Sequence, residues 1–243
     1  MMFPYDGKIA AACQSAATTI PEVIGVMQTI DQACTDGDGL KWFNWLYLQV
    51  TQTVERKIDG SGLEDAAWLA ELDVQFAALY FSALRGYLAG GECPQCWAAM
   101  FAVRANVRLA RIQCALAGIN AHINHDLPAA IVATCTVKGT TPGKATPQYR
   151  DYTALNAPID SLIEVAKRTL MVRLLGDSLP VVSHVEDMAA AWGTSEAREQ
   201  AWNHAEALWE LRGLPAIAQG YLDGLDGLVT FGNKALLTAA LEQ

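Results

Sequence analysis

No stretch of 18 or more residues in this chain is free of Asp, Glu, Lys and Arg, which excludes a helix built to span a bilayer. The most apolar run, Trp97 to Ala121, is interrupted by Arg104, Arg108 and Arg111, at intervals that suit a core helix and not lipid. Basic residues are scarce: 17 Lys and Arg stand against 26 Asp and Glu, for a net charge of -9. Such a field repels phosphate backbones and anionic headgroups, so neither nucleic acid nor a membrane surface is an expected partner. Also missing are a Walker loop, a G-x-G-x-x-G turn before a helix and a G-x-S-x-G elbow, which leaves nucleotide-dependent and serine-hydrolase chemistry without support. The opening MMFPYDGK has no basic segment followed by an apolar one, so cytoplasmic residence is expected. Cys13, Cys34, Cys93, Cys96, Cys114 and Cys135 need form no disulfide framework in a long helical chain and are expected to be reduced, mostly as small buried hydrophobes.

What the chain does have is apolar surface. Of its 243 residues, 52% are hydrophobic and only 18% charged, enough for a sizeable core and against general disorder. Thr19-Ile-Pro-Glu22 is a capping-box pattern that opens a helix ending near Asp36-Gly37-Asp38-Gly39. Leu40 to Ile58 holds no Gly or Pro and reads as a second helix. Ser61-Gly-Leu-Glu64 caps a third that runs to Gly90-Gly91. Cys96 to Leu127 reads as a long fourth helix stopped by Pro128, with a short continuation to Cys135. Residues 137–148, rich in Gly, Pro and Thr, form the expected exposed loop or linker. Tyr149 to Leu175, Ser195 to Leu211 and Leu214 to Leu241 complete the set, with Pro180 and Gly193 as breaks. No segment alternates with period two, so residues 1–243 are expected to form one all-α bundle of about seven or eight helices.

The chemistry-bearing residues concentrate at Ile119-Asn-Ala-His122-Ile-Asn-His125-Asp126-Leu-Pro128. At 100° per residue, Leu109, Ile112, Leu116, Ile119 and Ile123 form an apolar stripe, with Asp126 beside Ile119, His122 just beyond it and His125 next outward. His122 and Asp126 are four apart, a spacing at which imidazole and carboxylate share a hydrogen bond or a metal ion, with His125 able to join them. Histidines near a helix C-terminus also complement its dipole, which accounts for His122 and His125 but not for Asp126.

Asp73 falls inside the apolar face of Leu69, Leu72, Phe76, Tyr80 and Leu84. A carboxylate there must be paired, metal-bound or protonated, and Arg104, Arg108 or a tyrosine hydroxyl could satisfy it. Asn44, between Trp42, Phe43, Trp45 and Tyr47, reads as core. His184 lies in a loop or helix start, and His204 reads as a hydrogen-bonded border residue of the Ala201, Ala205, Leu208 stripe. Cys93-Pro-Gln-Cys96 opens a helix, where a thiol pKa is lowered, but neither a βαβ context nor a second C-x-x-C accompanies it.

The run Gly118-Ile-Asn-Ala-His-Ile-Asn-His-Asp-Leu-Pro128, together with Ala197-Arg-Glu-Gln-Ala-Trp-Asn-His-Ala-Glu-Ala-Leu-Trp209 and the Asp73 helix, resembles an uncharacterised family of bacterial and fungal helical proteins, classed as a domain of unknown function. The resemblance covers most of the chain; it implies one helical domain and a focal segment, and no reaction. His122-x3-Asp126 is similar in form to the pairs of helical zinc phospholipases, without their repeated His/Asp pairs. The His125-Asp126 doublet is similar to that of HD-type phosphohydrolases, without an upstream histidine.

The residues themselves point to a small-molecule enzyme acting on a hydrophobic organic substrate inside the bundle. In one form His122, His125 and Asp126, with Asp73 as a further participant, hold a divalent zinc or iron ion that polarises substrate or activates water. In another, His122 and Asp126 act without metal as an acid/base pair, with Asp73 as a buried partner of raised pKa, in an isomerisation, cyclisation or lyase step. In a third, the polar cluster is a satisfied core network of a binding module.

Overall fold

A computed structural model describes residues 3–60, 62–174, 187 and 193–238. Its helices are α1 (Asp6–Ala12), α2 (Ile20–Ala33), α3 (Gly39–Asp59), α4 (Ala66–Leu88), α5 (Gln95–Ala102), α6 (Arg111–Ala121), a π turn (His122–Asp126), α7 (Leu127–Lys138), α8 (Pro147–Ala154), α9 (Asn156–Thr169), α10 (Thr194–Leu211) and α11 (Pro215–Leu236). The fold is all-α; among the described residues the one extended pairing is an antiparallel bridge between Ala110 and Arg173. No described helix is long and apolar enough to cross a membrane.

Local chemistry sets most helix starts. Thr19 caps α2 by accepting from the Glu22 amide, while the Glu22 carboxylate reaches back to the amide and hydroxyl of Thr18. Asp38 caps α3 through the Leu40 amide. The start of α4 departs from expectation: its cap is Asp65, which accepts from the Trp68 amide. Glu64 is drawn away because its amide, with that of Asp65, donates to buried Asp151, 87 residues on.

The expected fourth helix, Cys96 to Leu127, is two helices. Residues 103–110 leave the helical path because Arg104 turns inward to Asp6 and Asp38, and its carbonyl accepts from the Gly39 amide at 2.7 Å. The amides of Arg111 and Leu174 then bond across the Ala110 bridge to Val172 and Leu109. Pro128, expected to stop the helix, does not. Lacking an N–H for the Asn124 carbonyl, it is accommodated by widening the preceding turn, where the Leu127 amide reaches back five residues to His122. The chain from Arg111 to Lys138 therefore stays helical through the π turn. The loop between α7 and α8 is narrower than 137–148, running over 139–146 at the surface. Tyr149 to Leu175 divides at Leu155 into α8 and α9. The break expected at Pro180 lies outside the described residues.

The α6–π–α7 rod is the central element, with α3 and α11 against α6, and α4 and α10 against α7. Gly118 sets the closeness of α3: a β-carbon there would overlap the ring of buried Phe43. Gly118→Ala is therefore expected to lower unfolding stability by about 1–3 kcal/mol in urea titration; a change within about 0.5 kcal/mol would show that Phe43 gives way freely.

Candidate active site

The π turn presents both histidines to one carboxylate. Asp126, 2% exposed, accepts from His122 Nδ1 at 2.9 Å on Oδ2, from His125 Nδ1 at 2.7 Å on Oδ1, and from the indole Nε1 of Trp97 at 2.9 Å on Oδ2. An ionised carboxylate only accepts, so each imidazole carries its proton on Nδ1 and is left with Nε2. Burial pushes the Asp126 pKa up, but the hydrogen bonds and charge of the two histidines outweigh it and hold the group below its ordinary value. For His122 burial dominates and lowers the pKa against the pull of Asp126. For His125 burial also lowers it, yet Asp126 and Asp226 together raise it overall.

The two imidazoles face different surroundings. His122 is packed among aromatic rings: Phe76 stacks on it with centroids 3.4 Å apart, and Tyr47 meets it edge-on at 4.4 Å. Its Nε2 is buried and has no hydrogen-bond partner among the described residues. The ring lines an apolar cavity of about 40 Å³ with Phe43, Tyr47, Phe76, Ile123, Ile163 and Arg198. Arg198, 7% exposed, donates from Nε to Asn156 Oδ1 and from a terminal nitrogen to the Tyr152 carbonyl, both at 2.8 Å, and lies over the Tyr152 ring. Both acceptors are neutral. His125 lines a larger polar cavity on another side, with Cys93, Glu92 and Asp226.

Asp73 is buried on α4, one turn before Phe76, and its Oδ2 has no partner among the described residues. Neither arginine proposed for it is there: Arg104 is committed to Asp6 and Asp38, and Arg108 is exposed. Burial, with the nearby charge of Glu55, raises its pKa to about 7. Burial, and then the Asp73 charge, push the phenol of Tyr47 well above its ordinary pKa, and the Tyr47 ring meets His122 edge-on.

Other candidates settle elsewhere. Asn44 is satisfied in the core by the Met27 carbonyl and the Tyr80 hydroxyl. His204 Nδ1 pairs with the Tyr221 hydroxyl at 2.7 Å, and burial lowers its pKa. His184 lies outside the described residues. All six cysteines are free thiols. Burial raises the Cys93 pKa to about 12 and Cys96 higher still, the opposite of the lowered value a helix start would favour.

Sequence reasoning missed Trp97 and Arg198. Trp97 carried a signal in adjoining the C-x-x-C turn, but nothing local tied its indole to Asp126, 29 residues on. Arg198 sits in an ordinary-looking charged helix; only its burial against the cavity distinguishes it.

The chain is thus an all-α protein whose central helix carries a buried His–Asp–His cluster in a π turn. It belongs to DUF5995, a family of unknown function, whose family model matches residues 20–239. No curated protein and no solved structure matches the chain.

Proposed function

We propose that this protein is a small-molecule enzyme in which the His122–Asp126 pair moves a proton on an apolar substrate that carries an anionic group. The observation that carries this reading is His122 Nε2, buried and unpartnered at the wall of an apolar cavity while Asp126 fixes the ring from Nδ1. A neutral imidazole held from Nδ1 keeps its lone pair on Nε2 and has its developing positive charge supported by the carboxylate, which is what a general base requires. Arg198, bonded among the described residues to neutral acceptors, supplies positive charge at the same wall for a carboxylate or a developing enolate. Abstraction of a proton at one carbon and its return at another gives an isomerisation; loss of a leaving group instead gives a lyase step. The surrounding aliphatic and aromatic residues favour an apolar body for the substrate. Asp73 takes part as a positioning group, through Tyr47.

The metal-assisted alternative, zinc or iron on His122, His125 and Asp126, uses the same atoms. It is the weaker of the two because both Nδ1 protons already satisfy Asp126. Free thiols and the net charge support placement in the cytoplasm, away from nucleic acid.

The test is proton exchange. Apolar carboxylic acids are incubated with the protein in D2O and followed by proton NMR, beside matched amides. Loss of signal at an acidic C–H is expected for an acid and not for its amide, slowed about 10²–10⁴-fold in His122→Gln and with weakened binding in Arg198→Met. Equal exchange by the parent and His122→Gln, or loss of stability in His122→Gln without any exchange in the parent, would return the cluster to a structural role.

A further inference from the structure

On the far side of Asp126 from the His122 cavity, three unlike ligand groups converge from three elements. Cys96 stands at the start of α5, His125 in the π turn and Asp226 on α11, and one ligand atom of each lies within 4.8 Å of the other two. Asp226 holds its place by capping α5: Oδ1 accepts from the Cys96 amide at 2.8 Å and Oδ2 from the Gln95 amide at 2.9 Å. Each carboxylate oxygen keeps a further lone pair. His125 gives Nδ1 to Asp126 and so retains Nε2.

We propose that Cys96, His125 and Asp226 bind one zinc ion, with Cys93 as the residue placed to supply a fourth ligand. Tetrahedral zinc, with bonds of about 2.0–2.3 Å, needs its ligand atoms about 3.3–3.8 Å apart, a contraction of the spacing already present. Cys93 lines the same cavity as His125 and Asp226, a space of about 530 Å³. Its spacing from Cys96 is that of the two-cysteine turn found in zinc sites. The wall suits a cation: Glu92, Asp126, Asp223 and Asp226 line it, and no Lys or Arg does. The hydrogen bond from His125 Nδ1 to Asp126 is the outer contact that orients a histidine ligand and raises its basicity. Ligand type favours zinc over calcium or magnesium, since thiolate and imidazole are poor partners for hard cations. On binding, each coordinating thiol gives its proton to solvent and its sulfur lone pair to the metal; no electron is transferred.

Such an ion ties α5, the π turn and α11 together and fixes His125, hence Asp126, behind the His122 base. The two readings fail separately: zinc binding is read at His125 and the thiols, proton transfer at His122 Nε2.

The experiment uses the purified full chain, stripped with a chelator and titrated with cobalt(II) chloride, then with zinc chloride. One cobalt per chain is expected, with a thiolate-to-cobalt charge-transfer band that zinc abolishes. Cys96→Ser should weaken and shift the band, leaving at most what Cys93 contributes, and His125→Ala should weaken binding at least 100-fold, whereas His122→Gln should bind as the parent does. Asp126→Asn should weaken binding about 10–100-fold. Circular dichroism checks that each variant is folded; should Cys96→Ser fail that check, Cys93→Ser, at the cavity edge, must alter the band's intensity or position. The proposal is overturned if the parent shows no thiolate band, if the band is unchanged in folded Cys96→Ser, or if His122→Gln abolishes binding while Cys96→Ser spares it. The last result would put the metal on the His122, His125 and Asp126 set instead.

Discussion

Arg104→Met is expected to lower unfolding stability by about 3–5 kcal/mol, the usual cost of removing one partner from a buried ion pair. Arg104 is 2% exposed and is shared by two carboxylates. Its Nε donates to Asp38 Oδ1 at 2.9 Å, and the same terminal nitrogen meets Asp6 at 2.8 Å and Asp38 Oδ2 at 2.5 Å. Without it, two buried negative charges face each other with only short-range donors left: the Phe3 amide for Asp6, and the Leu40 amide and Tyr5 hydroxyl for Asp38. The contact also anchors α1 and the 103–110 break to the start of α3, so the loss should be global. Urea unfolding of the parent and variant provides the check. Adding Asp6→Asn to Arg104→Met should recover part of the loss, because much of it is the cost of uncompensated charge. A deficit below about 1 kcal/mol would mean that the triad is no better than a surface pair.

The second large effect is a pH dependence carried by Asp73. Its folded pKa, about 7, lies above the ordinary value of 3.8. Between those limits the folded chain holds a proton that the unfolded chain has released, so stability falls as pH rises. Below pH 4 this group costs nothing; above pH 7 its full cost is present. A shift of this size corresponds to roughly 4 kcal/mol, an order-of-magnitude figure. Unfolding free energies at pH 5 and pH 8 should therefore drop steeply in the parent. In Asp73→Asn that drop should largely vanish, leaving the variant more stable than the parent at pH 8. A parent and variant with parallel pH profiles would sink the argument. If Asp73 tunes the site through Tyr47, the variant should also change proton exchange at His122 modestly, with ligand binding retained.

Much of the fold could be read from the chain because its helices are amphipathic and capped by nearby residues. Thr19 and Asp38 act within a few residues of the helices they start. The Leu40 to Ile58 segment, despite its β-branched residues, is helical as expected. Where the reading departs from the structure, a distant partner intervenes. Asp151 takes the amide of Glu64 from 87 residues away, and Arg104 leaves the helical path for Asp6 and Asp38, 98 and 66 residues off. No periodicity within a window can report such competition.

The same division applies to the site. The spacing of His122, His125 and Asp126 is a local property, and their hydrogen bonding follows from it. Which way each remaining imidazole nitrogen faces is not, since that depends on what α4, α5, α10 and α11 bring to either side. Phe76 and Arg198 make one side apolar with a single guanidinium; Cys96 and Asp226 make the other a set of metal-type ligands. By itself, the sequence determined an all-α chain with a His/Asp focus near Pro128, because helix period, caps and i,i+4 spacing act over one or two turns. Only the tertiary structure decided that one carboxylate stands between two chemically different cavities, because the groups that line them come from helices brought together from as far apart in the chain as Cys96 and Asp226.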